Sequence, residues 1–247
     1  MQSFSVVEGR SDSRVVITCE HASNHIPADY ADLGLAADDI ADHIGWDIGA
    51  AEFTCFVARS IEAPAVLSGA SRLLIDCNRE LEAHDLILTA SDGVQIPGNE
   101  TVDEAERERR ISRFYRPYHE AIDDILARHD GALLLSIHSF TPSLRAVQAP
   151  ACRAFDVGVL FDDHDVPAHR LGTALTAAGL RVRYNEPYSA LNGLIYSARS
   201  HGARHGRRYL ELELNNALLR TAASIESIGA QVGAALKHFL EDECASS

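Results

Sequence analysis

The segment Val15-Val16-Ile17-Thr18-Cys19-Glu20-His21-Ala22-Ser23 passes directly from a β-branched apolar run into polar residues. The run from Arg14 to Cys19 is typical of a strand buried on both faces, because such strands are continuously apolar and do not alternate. Similar runs alternate with helical patterns along most of the chain, which predicts a mainly parallel α/β sheet with helices on both faces. Ligands of such sheets bind at the carboxyl ends of the strands, so Glu20 and His21 lie where a functional site is expected.

The other predicted elements follow from the same patterns. Further strands are expected at residues 65–67, 73–76, 133–137, 157–161, 181–184 and 209–214, and helices at residues 38–60, 101–129, 167–178 and 224–240. Thr101 and Glu104 form a capping-box pattern at the start of the second helix. The polar stretch 84–100 is expected to be a surface excursion or a mobile flap. Because the sequence has no internal repeat or long linker, residues 1–247 are interpreted as one domain.

The net charge of the chain limits the classes of partner that it can bind. The chain has 22 Lys and Arg against 36 Asp and Glu, which gives a formal net charge of -14. An acidic exterior repels nucleic acid and anionic membrane surfaces, but a local arginine cluster would still admit a small anionic substrate. The sequence shows no secretory signal and no apolar run of about 18 residues, and its five cysteines include no Cys-x-x-Cys pair. We therefore expect a cytoplasmic protein with reduced thiols. The sequence does not indicate which oligomeric state it adopts.

Three candidate metal ligands lie near predicted strand ends. His21 follows the first strand, His138 follows the apolar run 133–137, and Asp47 can supply a carboxylate from the segment between them. A catalytic zinc site needs three nitrogen or oxygen ligands and one open position. The alternatives are hydrogen-bonded loop histidines, an ordinary helix-start acid at Asp47, or Glu20 as the third ligand in place of Asp47.

Glu211 and Glu213 are candidate catalytic residues. They lie two residues apart in the predicted strand 209–214, so both side chains project from the same face. Burying two carboxylates on one face of a sheet costs free energy, so such residues are expected to form ion pairs or to take part in catalysis. Either one can act as the general base of an amide hydrolysis, taking a proton from water and delivering it to the leaving nitrogen. The competing interpretation is an edge strand with a solvated acidic face.

Two arginines are candidate substrate ligands. Arg72 and Arg79 bracket one of the predicted short strands, and Asn78 lies near its end. Arginine suits bidentate capture of a carboxylate, so this segment favours an anion-binding cleft. Asn78 and Ser139 are the polar candidates beside the arginines.

Ordered blocks along the chain resemble the N-formylglutamate amidohydrolase family and its broader set of bacterial homologues. The blocks are Cys-Glu-His-Ala-Ser-Asn from Cys19, Gly-Trp-Asp from Gly45, Ser-Arg and Asp-Cys-Asn-Arg from Ser71, Tyr-Arg-Pro-Tyr-His from Tyr115, Ile-His-Ser-Phe from Ile137, and Leu-Glu-Leu-Asn-Asn from Leu212. Their order and chain-wide spread make the resemblance fairly specific. Cys-Glu-His-Ala-Ser stands where the better-known enzymes carry Pro-His-Ser-Gly, so the chain resembles a diverged branch.

The resemblance implies a three-layer α/β/α sandwich with a mainly parallel mixed sheet, similar to zinc carboxypeptidase and phosphorylase/hydrolase-like folds. It implies zinc, or another divalent metal, and hydrolysis of N-formyl-L-glutamate to formate and L-glutamate, a late step in one route of histidine degradation. By position, it implies metal ligands at His21, Asp47 and His138, a catalytic carboxylate at Glu213, and ligands of the substrate carboxylates at Arg72 and Arg79.

Three other interpretations stay open. The same fold could hydrolyse another N-acylated or peptide substrate. Cys19 or Cys77 could serve a cysteine hydrolase together with a nearby histidine. The arginine cleft could also belong to a catalytically silent protein that binds carboxylates.

Overall fold

The computed structural model describes residues 2–142 and 154–245. Its strands are β1 (Phe4–Val7), β2 (Val15–Cys19), β3 (Ala65–Ser68), β4 (Ala90–Ser91), β5 (Val94–Gln95), β6 (Leu133–Phe140), β7 (Val157–Leu160), β8 (Val182–Tyr184) and β9 (Tyr209–Asn215). Its helices are α1 (Ala37–Ala41), α2 (Ala50–Ser60), α3 (Glu104–Arg110), α4 (Arg116–Arg128), α5 (Asp165–Ala177), α6 (Tyr196–His205) and α7 (Ala222–Ala245). A π-helical turn at Ile111–Tyr115 joins α3 to α4, and short 3-10 turns lie at Ala28–Gly34, Pro97–Asn99, Ala190–Asn192 and Asn216–Leu218.

Seven of these strands form one mixed sheet in the order β1–β3–β2–β6–β9–β7–β8. The neighbours from β3 to β9 are parallel, as are β7 and β8, whereas β1 pairs with β3 and β7 pairs with β9 in the antiparallel sense. Helices α2, α5 and α7 pack on one face of the sheet, and α4 and α6 pack on the other. The predicted three-layer α/β/α sandwich with a mainly parallel mixed sheet is therefore confirmed.

The two faces of the sheet differ in polarity along the strands. On one face Ile17, Leu135 and Leu212 belong to a continuous apolar core against α2 and α7. The other face is apolar where the strands begin, at Val16 and Leu134, and polar where they end. Its buried polar residues are Thr18, Ser136, His138, Glu211 and Glu213. Because alternate residues of a strand share a face, this one polar end collects the chemically active side chains.

Residues 72–74 form a turn and residues 75–76 have no regular structure, so the strand predicted at 73–76 is wrong. Ser71 starts the turn, because its Oγ accepts a hydrogen bond from the Leu73 N–H at 3.2 Å and its carbonyl accepts one from the Leu74 N–H at 3.0 Å. A serine that bonds to nearby backbone groups competes with the ladder of a sheet. The apolar side chains of this turn are buried in the core on the α4 side.

The predicted helix 38–60 is divided into α1 and α2 by a loop that carries Asp47. Two glycines account for the division. A Cβ built on Gly45 would lie 2.3 Å from the carbonyl oxygen of Ile40, so only glycine permits this close approach. Gly49 precedes α2 with φ of 79°, a conformation that other residues rarely adopt.

The helix predicted at 101–129 is confirmed in its main part, but the predicted capping residue is wrong. Asp103 caps α3 in place of Thr101, because its carboxylate accepts a hydrogen bond from the Glu106 N–H at 2.8 Å. Aspartate is among the strongest residues at this position.

The polar stretch 84–100 contains the hairpin formed by β4 and β5, and its far end is anchored in the core. Asn99 is buried and its side-chain amide donates to the carbonyls of Leu73 and Leu88, at 2.8 and 2.7 Å. Within the described ranges, no helix is both long enough and apolar enough to cross a membrane. Cys19, Cys55 and Cys77 are free thiols, and Cys152 lies outside the described residues.

Candidate active site

The candidate site residues from the sequence meet at one cavity of about 380 Å³ at the carboxyl end of the central strands. β6 continues to Phe140, so His138 and Ser139 lie within the strand and not after it. Its register pairs His138 with Glu213, which places both side chains on the polar face. The predicted residues that line the cavity are His21, Asp47, Arg72, Asn78, Arg79, His138, Ser139, Glu211 and Glu213.

His21 is fixed through both ring nitrogens. Its Nε2 lies 2.7 Å from Asp76 Oδ1, and Arg72 donates from Nη1 to its Nδ1 at 3.2 Å. Because arginine can only donate, we assign Nδ1 as the unprotonated nitrogen and Nε2–H as the donor to Asp76. Burial opposes the charged form of Asp76, but His21 and Arg72 outweigh it and hold the pKa of Asp76 well below its usual range.

Asp47 lies between the two histidines. Its Oδ1 is 3.5 Å from His21 Nδ1, and its Oδ2 is 2.8 Å from His138 Nδ1 and accepts from the Ser139 N–H at 3.1 Å. Burial would favour the neutral acid, but the two imidazoles lower the pKa of Asp47. The ligand atoms of His21, Asp47 and His138 all lie within 4.8 Å of one another.

Glu20 contacts the nitrogen of His138 that faces away from Asp47. Its Oε2 is 3.0 Å from His138 Nε2 and accepts from Ser136 Oγ at 2.6 Å, and its Oε1 accepts from the Tyr118 hydroxyl at 3.0 Å. Burial alone would lower the pKa of His138, but Glu211, Asp47 and Glu20 together raise it well above its usual value. Between the two open choices for a third ligand, this geometry favours Asp47 over Glu20.

Glu211 and Glu213 of β9 form a wall of the cavity. They are 2% and 5% exposed, and the Oε2 atom of each has no hydrogen-bond partner within the described residues. Desolvation raises the pKa of Glu211 to about 7 and that of Glu213 well above its usual value. A carboxyl group of raised pKa in a cleft is suited to proton transfer near neutral pH.

The donor set fits a divalent metal. Two imidazole Nδ1 atoms and a carboxylate are a common ligand set of catalytic zinc. The other nitrogen of each histidine contacts a carboxylate, Asp76 or Glu20, as in the carboxylate–histidine–metal arrangement. Five buried carboxylates surround the centre, against the two guanidinium groups of Arg72 and Arg79, and this excess of negative charge calls for a cation or bound protons. These carboxylates are Glu20, Asp47, Asp76, Glu211 and Glu213.

Both arginines of the cavity already have a carboxylate partner. Arg72 donates from Nη2 to Asp76 Oδ2 at 2.8 Å. Arg79 donates from Nε to Asp85 Oδ2 at 2.7 Å and from Nη1 to the Asn78 carbonyl at 3.0 Å. A substrate carboxylate would therefore share each guanidinium with an aspartate.

Asn78 and Ser139 direct their polar groups toward the protein. Asn78 donates from Nδ2 to the Leu194 carbonyl at 3.0 Å, and its Oδ1 accepts from the Ser197 N–H at 2.9 Å. Ser139 donates from Oγ to the Ile48 carbonyl at 3.0 Å. These bonds show both residues holding the cavity walls, and their contact with substrate stays a prediction.

Sequence patterns did not identify several residues of the cavity rim. Ser91 and Asp92, at the tip of the β4–β5 hairpin, line the cavity, and Asp92 Oδ2 lies 3.1 Å from His43 Nε2. The turn pattern Ser91-Asp92-Gly93 indicates a loop, but it does not indicate that this loop lies at the cavity. Tyr188 also lines the cavity, and no pattern in the sequence points to it.

A family model for N-formylglutamate amidohydrolase matches residues 13–220. The chain belongs to the N-formylglutamate amidohydrolase family. The matched residues include every candidate site residue of this cavity. The family resemblance read from the sequence is thereby confirmed, and the chain is an amidohydrolase by family.

Two solved structures share the fold over nearly the whole chain. The crystal structure of a gene product from Agrobacterium tumefaciens is 30% identical, with a TM-score of 0.88, and the match covers 98% of this chain and 96% of that one. N-formylglutamate amidohydrolase from Ralstonia eutropha JMP134 is 18% identical, with a TM-score of 0.76 and coverage of 98% of both chains. No curated protein matches the sequence.

Proposed function

We propose that this amidohydrolase is metal-dependent and cleaves the amide bond of a small N-acyl amino acid, with N-formyl-L-glutamate as the leading substrate. Family membership supports the reaction class. The observation that carries the metal is the convergence of His21, Asp47 and His138, whose ligand atoms lie within 4.8 Å beside two buried glutamates. Zinc is the leading metal, and when bound it would lower the pKa of water and polarise the acyl oxygen.

Glu213 is the proposed general acid–base residue, and Glu211 is the alternative. Amide hydrolysis requires a group that takes a proton from the attacking water and gives it to the leaving nitrogen. Both glutamates face the cavity, and burial raises the pKa of each, so each can hold that proton. Their positions on one strand make them a matched pair for substitution.

Arg72 and Arg79 are the proposed ligands of the substrate carboxylates. N-formylglutamate has two carboxylates, and the cavity has two guanidinium groups, one on each side of the segment 73–76. Arginine binds carboxylates in a bidentate manner, which favours a dicarboxylate over a neutral acyl amino acid. Because each guanidinium is already paired with an aspartate, attraction of an anion would depend on these arginines together with the proposed metal.

Metal content and turnover, measured on the same purified protein, test this proposal. A chelator should abolish formate release from N-formyl-L-glutamate, and added Zn²⁺ should restore it. A panel of other N-formyl and N-acetyl amino acids sets the specificity. Hydrolysis of another N-acyl amino acid but not of N-formyl-L-glutamate would exclude the named substrate and would still support the reaction class. Saturable binding without turnover after zinc is restored would instead indicate a silent carboxylate-binding protein.

The structure argues against a cysteine hydrolase. Cys19 belongs to the apolar core on the opposite face of the sheet, and Cys77 is 2% exposed. Desolvation raises the pKa of both thiols, so neither supplies a thiolate nucleophile. Thiol alkylation should therefore leave turnover intact, and inactivation by alkylation with retention of activity under chelation would reverse this conclusion.

A further inference from the structure

A second group of histidines and a carboxylate lies between α4 and α6. His201 and His205 are one helical turn apart on α6, so they present their rings to the same side. His201 Nδ1 lies 2.7 Å from Asp123 Oδ1, and His205 Nε2 lies 2.9 Å from the same oxygen. The ligand atoms of the three residues lie within 4.8 Å of one another. None of the three lines the active-site cavity.

We propose that Asp123, His201 and His205 bind a second divalent metal ion of the zinc or cobalt class. Two histidines four residues apart on a helix can bind one metal, and a carboxylate from a neighbouring helix completes a three-ligand set. The ion would join α4 to α6, so the proposed role is structural. This site does not depend on the proposed catalytic metal.

His201 has the outer contact that a metal ligand needs. Its Nε2 lies 2.7 Å from His119 Nδ1, and the two rings are stacked with their centroids 5.0 Å apart. At 2.7 Å from the Asp123 carboxylate, His201 Nδ1 carries a proton in the metal-free cluster; a metal would replace that proton, and His201 would then donate from Nε2 to His119 Nδ1. That tautomer is the one that binds a metal through Nδ1.

Arg204 is the competing cation. Its Nη1 lies 2.5 Å from Asp123 Oδ2, the carboxylate oxygen that the histidines do not share. The Arg204 side chain is 60% exposed, so it reaches Asp123 from solvent and leaves Oδ1 to the two imidazoles. The competing explanation is a metal-free cluster in which Asp123 accepts from both histidines and Arg204.

A metal at this position would connect to the active site through α6. The start of α6 holds Asn78, because the Ser197 N–H donates to Asn78 Oδ1 and the Leu194 carbonyl accepts from Asn78 Nδ2. His205 is the last residue of the same helix. Fixing that end against α4 should raise the thermal midpoint of unfolding, because a ligand that binds only the folded state stabilises it.

Titration of the metal-free 247-residue chain with Co²⁺, followed by visible absorption and equilibrium dialysis, tests the second site. The unmodified protein should bind two equivalents. His205→Gln and Asp123→Asn should each bind one, and the active-site variant His138→Gln should also retain one. His238→Gln is the matched control and should bind two, because His238 forms an exposed pair with Asp242 one helical turn away.

His205→Gln is the decisive variant, since His205 lies at the end of α6 and is 18% exposed. In the His138→Gln background, Co²⁺ should raise the unfolding midpoint, and adding His205→Gln should abolish that rise. Two equivalents bound by His205→Gln, or a single equivalent in the unmodified protein that His138→Gln abolishes, would overturn the proposal. A single equivalent that only His205→Gln abolishes would support this site and contradict the proposed catalytic centre.

Discussion

Each histidine that faces Asp47 has a carboxylate on its other ring nitrogen. Asp76 lies 2.7 Å from His21 Nε2, and Glu20 lies 3.0 Å from His138 Nε2. Such carboxylates set the tautomer and orientation of a metal-binding imidazole and raise its basicity. At the residue scale, the site therefore depends on these outer partners as well as on the three proposed ligands.

Asp76→Asn should weaken Zn²⁺ binding about 10- to 100-fold, because removal of an outer partner of a metal-binding histidine has that effect. Competition with a chromophoric chelator measures the affinity. Asp85→Asn is the control, since Asp85 pairs with Arg79 at 2.7 Å and is not a partner of either histidine. An unchanged Zn²⁺ affinity in Asp76→Asn would contradict the role of Asp76 as an outer partner of a metal-binding His21.

Glu213→Gln should lower kcat about 10²- to 10⁴-fold, the usual contribution of a general acid–base group. Bound zinc should stay unchanged, because the carboxamide has the same shape and Glu213 is not a proposed ligand. Glu211→Gln is the matched variant on the same strand face. A larger loss of kcat in Glu211→Gln would assign the general acid–base role to Glu211. If both variants keep more than about one tenth of the original kcat, neither glutamate has that role.

The sequence predicted which residues line the cavity better than it predicted the carboxylates that contact them. His21 and His138 follow or end apolar runs, and Glu211 and Glu213 share a strand face, so period and position alone identified them. The partner role of Asp76 depends on a segment that was predicted as a strand. Glu20 could be placed only once the distance from its carboxylate to His138 Nε2 was known, because short-range patterns carry no information on contacts between distant segments.

At the element scale, a buried arginine joins α3 to the segments behind the cavity. Arg110 is 2% exposed and donates to Glu106 Oε1 at 2.8 Å, to Asn99 Oδ1 at 2.7 Å and to the Leu74 carbonyl at 3.0 Å. It thereby connects the helix to the end of the 84–100 stretch and to the turn at residues 72–74.

Arg110→Met should lower the free energy of unfolding by about 2–4 kcal/mol, because it leaves buried acceptors without a donor. Urea denaturation measures the change. Arg109→Met is the control, since Arg109 pairs with the same Glu106 at 2.7 Å but its side chain is 56% exposed. Exposed pairs contribute little, so the control should change stability by less than about 1 kcal/mol. Equal losses in the two variants would contradict a special role for the buried arginine.

Asp156 connects β7 to the start of β8 and makes the stability pH-dependent. It accepts from the Arg181 N–H at 2.9 Å and from the Arg181 guanidinium at 2.6 Å. Hydrogen bonding by Arg181 outweighs desolvation and lowers the pKa of Asp156. The stabilisation by this ion pair is therefore fully present above the unfolded-state pKa of about 3.9. It is lost as the pH falls through the lower folded-state pKa.

Asp156→Asn should lower the free energy of unfolding by about 1 kcal/mol at neutral pH, discounted because Arg181 is 63% exposed. The difference from the unmodified protein should shrink as the pH falls below about 4. Thermal unfolding across that range checks the trend. Asp12→Asn is the control, because Asp12 forms an exposed surface pair with Arg10 and its substitution should have little effect on stability. A difference that grows toward acid pH would contradict the assignment.

The elements themselves were largely predictable, and their ends were not. Strand β6 extends to Phe140 because His138 and Ser139 remain paired with β9, although polar residues usually signal the end of a buried strand. The helix 38–60 is divided because Gly45 approaches α1 too closely for any side chain, a tertiary constraint that periodicity does not reveal.

On the scale of the whole molecule, one sheet separates a structural face from a reactive one. The face against α2, α5 and α7 is apolar along β2 and β9 and along β6 as far as Ile137. The opposite face is polar at its carboxyl end, where the family match and the cavity coincide. His21, Asp47 and His138 are the proposed ligands of a divalent metal at that end of the sheet.

Anomalous diffraction at the zinc absorption edge, from crystals of the zinc-loaded protein, tests this claim most directly. We expect a peak about 2.0–2.2 Å from His21 Nδ1, His138 Nδ1 and a carboxylate oxygen of Asp47. A zinc-loaded crystal without a peak at that position, or with a peak bound by Glu20 in place of Asp47, would contradict it.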